Sequence, residues 1–339
     1  MLRARMSAPL PQPRGPVSDA VISTLAQSQP HSHLAGGRPG DPITHADPLG
    51  GDLQLALYVC YELHYRGFSG VDDDWEWDPQ LLAFRGVLEE RFLNYLRGHT
   101  GGGTDVTGAL DALSTEPVDD QPNSLSHYLA EHGTWAQLRE FFVHRSLYHL
   151  KEADPHAWAI PRLVDGAKAA FVAVEFDEFG GGRGDRMHST LFAALLRAAD
   201  LDATYLGYID CVPPEALATV NFMSLCGLHR GLRGALVGLF AAAEITTAPS
   251  AKRIVAALDR LDGPQPCRHF YTEHIEADAV HEQVLRHDVV GELLRQEPEL
   301  AADVIFGIEA SEWLEARLAD HVLGHWRRGV SSLLPVRTV

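Results

Sequence analysis

From Ser124 to the C-terminal end, apolar residues return every three or four positions, and almost no stretch alternates apolar with polar. That pattern suits helices, whose side chains repeat every 3.6 residues, and not sheets, which repeat every two. TWAQLREFFVHRSLYHLKEAD reads as one helix, VDGAKAAFVAVEFDEF as another, and RMHSTLFAALLRAADL continues beyond a glycine cluster. PPEALATVNFMSLCGL, RGALVGLFAAAEIT, SAKRIVAALDRLD and PELAADVIFGIEASEWLEARLADHVLGHW follow as further helices. FVAVEF is the one β-rich run, and it lies inside a longer helical pattern. Upstream, DLQLALYVCYELHYRGF has helical spacing, and DPQLLAFRGVLEERFLNYLRGH opens with Asp78 as N-cap and Pro79 at the first helical position. The fold class is all-α. Residues 1–48, rich in Pro, Gly, Ser and Ala, read as a disordered tail. Residues 49–118 read as an N-terminal helical extension and 119–335 as the main domain.

The formal net charge is −18 and the sequence pI is about 5.4. Nucleic acid and anionic membrane surfaces are therefore excluded as main partners, because both are met with a basic footprint. No run of about 18 apolar residues occurs, so no membrane span is expected. The N-terminal MLRARMSAPLPQPRGP has basic residues but no apolar segment of the kind a secretory signal needs. Cys60, Cys211, Cys226 and Cys267 form no C-x-x-C pair and are too few for a disulfide framework, which points to the cytoplasm.

One stretch carries chemistry. HIEADAVH sets His274, Asp278 and His281 at i, i+4 and i+7, within roughly 60° of each other on a helix. Such a face is either solvated or one wall of a metal site. A second carboxylate-x-x-His pair, Asp185 and His188, opens the helix of GDRMHSTLF. Helical bundles that hold two irons take single carboxylates from two helices and such pairs from two others. Glu244 stands alone in the apolar run ALVGLFAAAEIT, where an unpaired carboxylate is costly to bury. Glu152, in HRSLYHLKEADPH, precedes the first pair, and His149 one turn earlier would support it from behind. Mixed carboxylate and imidazole donors suit iron or manganese better than structural zinc.

Other motifs carry less. GGGRGD lacks the closing G-K-[ST] of a phosphate loop, and no βαβ unit surrounds it. DDDWEWD reads as a solvated loop whose Trp75 and Trp77 pack on the body. Glu62 and His64 lie at i and i+2, on different helix faces, and make poor joint ligands.

The stretches HRSLYHLKEADPHAWAIPRL, EFDEFGGGRGDRMHSTLFA and HIEADAVHEQV resemble the iron-containing redox enzymes of the heme-oxygenase-like diiron oxidase superfamily. The resemblance covers roughly residues 119–330 and implies a heme-oxygenase-like helical bundle. It implies that Glu152 is the carboxylate of the first core helix, Asp185 and His188 the pair on the second, and Glu244 the carboxylate of the next. His274, Asp278 and His281 would be the triad on the last. Some members use a further glutamate upstream on the second helix, a place that Glu178 would fill. Asp185 departs from the Glu of many relatives, and GGGRG interrupts the helix between it and Glu178. The resemblance further implies a non-heme diiron oxidase or oxygenase with two Fe(II) ions and dioxygen as co-substrate, acting on a small, possibly amino-acid-derived, organic molecule. The alternative is a ferroxidase or iron-binding helical protein with no organic substrate. An electron donor, which the sequence does not name, and a homodimer complete the expected partners.

Overall fold

Capping side chains explain where the clearest helices begin. In the computed structural model, which describes residues 7–27, 42–114 and 124–335 and all their side chains except those of 42, 44 and 276–280, the Asp78 carboxylate accepts from the backbone N–H groups of Gln80 and Leu81 at 2.9 Å. Thr134 and Gln137 form a reciprocal capping box. The elements are α1 (Pro16–Gln27), α2 (Pro42–His45), α3 (Gly51–Glu62), α4 (Pro79–Arg97), α5 (Val106–Ser114), α6 (Leu125–Glu131), α7 (Trp135–His149) and α8 (Asp154–Ala157). They continue with α9 (Asp165–Glu178), α10 (His188–Ala198), α11 (Pro214–Leu228), α12 (Arg233–Arg260), α13 (Gln265–Gln283), α14 (Glu292–Gln296) and α15 (Ala301–Arg327). A π-helical segment, Val284–Gly291, joins α13 to α14. Among the described residues the only β pairing is a single bridge between Ala8 and Phe68.

Helix α12 is the axis of the bundle, packed by α13, α15, α6 and α11. It is apolar nearly all round because neighbours cover it on several sides. By length and composition Arg230–Arg260 would also cross a membrane, but core helices have the same character, and 67% of its apolar window is buried inside the protein. Gly238 of α12 and Gly307 of α15 let the two backbones touch. A Cβ on Gly238 would meet the Val304 carbonyl, and one on Gly307 that of Ala235. The sequence pattern splits α12 in two, yet the helix runs through Pro249. The proline deprives the Ile245 carbonyl of its donor. Just before it, the Thr246 and Thr247 hydroxyls donate back to the Ala242 and Ala243 carbonyls at 2.8 and 2.7 Å.

The N-terminal elements join the same continuous core. The expected tail of residues 1–48 is shorter than its composition suggested, since α1 lies within it. Val17, Val21 and Leu25 of α1 are buried, and Asp52 of α3 caps its start by accepting from the Val17 and Ser18 N–H groups. Every residue of α3 from Leu53 to Glu62 is buried, and Asn221 of α11 donates to the Gln54 carbonyl. The expected boundary at residue 118 falls outside the described residues. Trp75 is buried as expected of DDDWEWD, whereas Trp77 is 65% exposed, with its ring set edge-on to that of His64 at 5.1 Å.

Candidate metal centre

Helix α7 stops at His149, and the chain turns through Lys151 and Glu152 to Ala153, whose φ is 72°. Glu152 therefore sits on a turn, not on the helix that its apolar neighbours suggested. The turn drives its carboxylate inward, to 6% exposure. His149 Nδ1 lies 2.8 Å from Glu152 Oε1, and His274 Nε2 lies 3.5 Å from the same oxygen. His274 Nδ1 is 2.8 Å from the Phe270 carbonyl, which only accepts. That contact puts a proton on Nδ1 and turns Nε2 toward Glu152; in the metal-free protein a second proton, on Nε2, pairs with the carboxylate, and it is this proton that a metal would displace. The rings of His188 and His274 lie 4.3 Å apart.

Helix α9 ends on Glu178, and Gly180, Gly181 and Gly182 follow with φ of 71°, 61° and 79°. Three successive left-handed residues cannot continue a right-handed helix. This reversal corrects one expectation. Asp185 and His188 do not form a helical pair, because α10 begins only at His188. Asp185 lies before it with its side chain 74% exposed, 3.6 Å from Arg183 and outside the cluster. Glu178 occupies the place instead, with Oε2 2.8 Å from His188 Nδ1 and Oε1 3.7 Å from His281 Nδ1. His281 Nδ1 also contacts Glu244 Oε2 at 2.9 Å.

Two buried triads result: Glu152, His188 and His274, and beside them Glu178, Glu244 and His281. In each, one donor atom per residue lies within 4.8 Å of the others. Asp278 lies on α13 between His274 and His281, and its side chain is outside the described residues. The donor set fits iron on three observations. Glu152 Oε2 is buried without a hydrogen-bond partner. His188 Nδ1 approaches Glu178 closely but off hydrogen-bond geometry. And the cluster holds more carboxylate than it can keep ionised. Burial, with Glu244 and Glu152 close by, pushes Glu178 well above the usual carboxylate range. Glu152 goes the other way: burial would raise it, but His149 and His274 hold it well below. Burial and His274 lower His188 to about 4. For His281 burial also lowers, but Glu244 and Glu178 outweigh it and raise the imidazole to about 9.

The sequence reading passed over Glu175, which lies one turn before Glu178, is 2% exposed and has neither oxygen hydrogen-bonded. Its three-residue spacing from Glu178 was the available signal. Burial and the neighbouring Glu178 and Glu244 push it well above the usual carboxylate range. Asp177, also missed, reaches His281 Nε2 at 3.4 Å from an exposed position. His149 stands behind Glu152 as its spacing suggested.

A cavity of about 540 Å³ adjoins the first triad. His149, His274 and Tyr148 line it together with the apolar Leu239, Phe222 and Ile254 and the charged Arg145, Glu312 and Glu315. Arg145 is committed to Glu315 by two hydrogen bonds of 2.7 and 2.6 Å. Glu312 is exposed as a residue, but crowding of its carboxyl by protein, with Glu315 nearby, raises it to about 7.

Known proteins share this arrangement of sequence. The chain is 24% identical over 255 residues to nitrosourea synthase of Streptomyces achromogenes subsp. streptozoticus, which covers 72% of this chain and 54% of that protein. The chain thus spans about half the length of the curated relative it matches. The family model described as iron-containing redox enzyme matches residues 139–316, more than half of the chain and all the residues of both triads. With its all-helical fold and its buried carboxylate and imidazole donors, this chain belongs to the iron-containing redox enzymes of the heme-oxygenase-like superfamily.

Proposed function

We propose that the chain is a non-heme diiron oxidase or oxygenase that activates dioxygen to oxidise a small organic molecule held in the adjoining cavity. The observation that carries this reading is the pair of buried triads side by side, with Glu178 turned toward both. Glu152, His188 and His274 would hold one Fe(II), and Glu178, Glu244 and His281 the other, with Asp278 as a further ligand. Two bound irons would supply the electrons for dioxygen reduction, which no side chain of the cluster can. The protein's own part is placement. His149 orients Glu152, and the Phe270 carbonyl fixes the His274 ring. Phe192 and Phe270, with ring centroids 5.1 Å apart, pack against His149 and keep water from this side. Glu175, buried and favoured in its neutral form, stands near the second triad as a proton store.

The cavity favours an amphipathic substrate. Its volume suits a small organic molecule, its lining includes apolar residues such as Leu239, Phe222 and Ile254, and Glu312 also lines it with no cation among the charges acting on that carboxyl. A substrate bearing a cationic nitrogen would complement it, and the similarity to a nitrosourea synthase supports a nitrogen-containing substrate. An amino-acid-derived molecule satisfies both. The four free cysteines support a reducing, cytoplasmic setting, and an external electron donor would return the irons to Fe(II).

Stopped-flow mixing of Fe(II)-loaded protein with dioxygen, with and without α-amino acids and linear alkylamines, tests the proposal. One of these ligands should accelerate dioxygen consumption. Iron oxidation at one rate whatever ligand is present would favour the ferroxidase alternative.

A further inference from the structure

Glu152 rides on a turn, and short turns between helices are usually free to shift. This one is held from an unexpected direction. Lys151, its neighbour, is 1% exposed and donates to Glu62 Oε2 at 3.0 Å, Glu62 being the fully buried last residue of α3. The Lys151 ammonium also lies 4.7 Å from the Tyr58 ring centroid and 4.2 Å from that of Tyr65. Tyr205 donates to the other Glu62 oxygen at 2.8 Å. Arg66, just beyond α3, donates to the Leu150 carbonyl at 3.1 Å and covers the Tyr205 ring at 4.1 Å. Both residues that precede Glu152 are thus tied to α3 and its end. Ala153, which follows, holds a left-handed conformation that a non-glycine residue rarely adopts without support.

A buried ion pair is an inefficient way to gain stability, since apolar residues of the same volume often do as well or better. Here its geometry accomplishes something apolar residues would not, because a directed N–H···O bond fixes the residue next to a buried carboxylate. We propose that Glu62 and Lys151 form a clamp that positions Glu152 for metal, so that the N-terminal helix α3 is a working part of the iron centre. Lys151 and Glu62 are positioning residues and touch no reacting atom. The inference rests on the iron-centre reading above.

The test is anaerobic Fe(II) titration against a competing chelator, together with thermal unfolding of the metal-free protein. The double variant Glu62→Gln/Lys151→Met keeps the volume and removes both charges. It should melt close to the wild type and bind one of two irons at least tenfold more weakly, the other unchanged. A purely structural role would lower the melting temperature and leave both affinities alone; two irons at wild-type affinity would overturn the clamp. Should the double variant not fold, Tyr205→Phe removes only one hydrogen bond from Glu62 and must weaken the same iron about threefold; unchanged affinity there overturns it equally. A wild type that binds no iron defeats the iron-centre reading itself, and the clamp with it.

Discussion

The two triads lie side by side and are held in opposite ways. Glu152, His188 and His274 carry their own balance: His149 and His274 hold Glu152 well below the usual carboxylate range, and the Phe270 carbonyl fixes the His274 ring. Glu178, Glu244 and His281 do not. Burial, with Glu244 and Glu152 close by, pushes Glu178 well above the usual carboxylate range, while Glu244 and Glu178 favour a proton on His281. The first triad is organised by protein; the second is organised around a positive charge that the protein supplies only in part, through His281. The supports differ as well. The first takes its carboxylate from a turn with a left-handed residue, and the second takes its two from helices α9 and α12, but both take a histidine from α13, which runs on into a π-helical segment. Wide turns of that kind recur near functional sites, where they loosen helix geometry.

The largest effects that would break this contrast are on metal content. His188→Ala should cost the iron of the first triad and His281→Ala that of the second, each leaving about one iron per chain by metal analysis after anaerobic loading. Loss of both irons in either variant would mean that the triads are a single indivisible site.

A smaller effect sharpens it without metal. In the metal-free protein Glu152→Gln should lower stability by about 1–3 kcal/mol, because His149 and His274 lose a charged partner. Glu178→Gln should stay within about 1 kcal/mol of wild type, since burial and its carboxylate neighbours already favour the neutral form of the carboxyl it replaces. Chemical denaturation at neutral pH compares the two. Equal losses would show that Glu178 is not the frustrated partner.

The smallest effect concerns the cavity. Glu312 is raised from 4.5 to about 7. An unfolded chain therefore ionises this carboxyl before the folded one does, and its contribution to stability is lost as pH rises from about 4.5 to about 7. Glu312→Gln should match wild type in melting temperature near pH 4 and exceed it slightly above pH 7. A difference that does not change with pH would show that water at this exposed residue screens the carboxyl and removes the shift.

Much of this was legible in the sequence, and the exceptions share a cause. Helical periodicity reports local structure, so the all-α fold, the Asp78 cap and the buried Trp75 follow from short stretches of chain. Glu244 was legible because a single carboxylate interrupts an apolar helix, and His274 and His281 because they share one helix face. What failed was continuity through backbone reversals. The three left-handed glycines after Phe179 carry Asp185 out of the site and leave Glu178, which only the family resemblance had offered, facing both triads. Likewise Pro249 looked like an end to α12 and was not, since tertiary packing on several sides outweighs one missing hydrogen bond. The burial of Lys151 had no local signal, because its partner Glu62 is 89 residues away.

The central claim is that Glu178, and not Asp185, belongs to the iron centre. Anaerobic Fe(II) loading followed by metal counting on wild type, Glu178→Ala and Asp185→Ala addresses it directly. The account predicts two irons per chain in the wild type and in Asp185→Ala, and fewer than one in Glu178→Ala. Two irons retained in Glu178→Ala, or iron lost in Asp185→Ala, would contradict it.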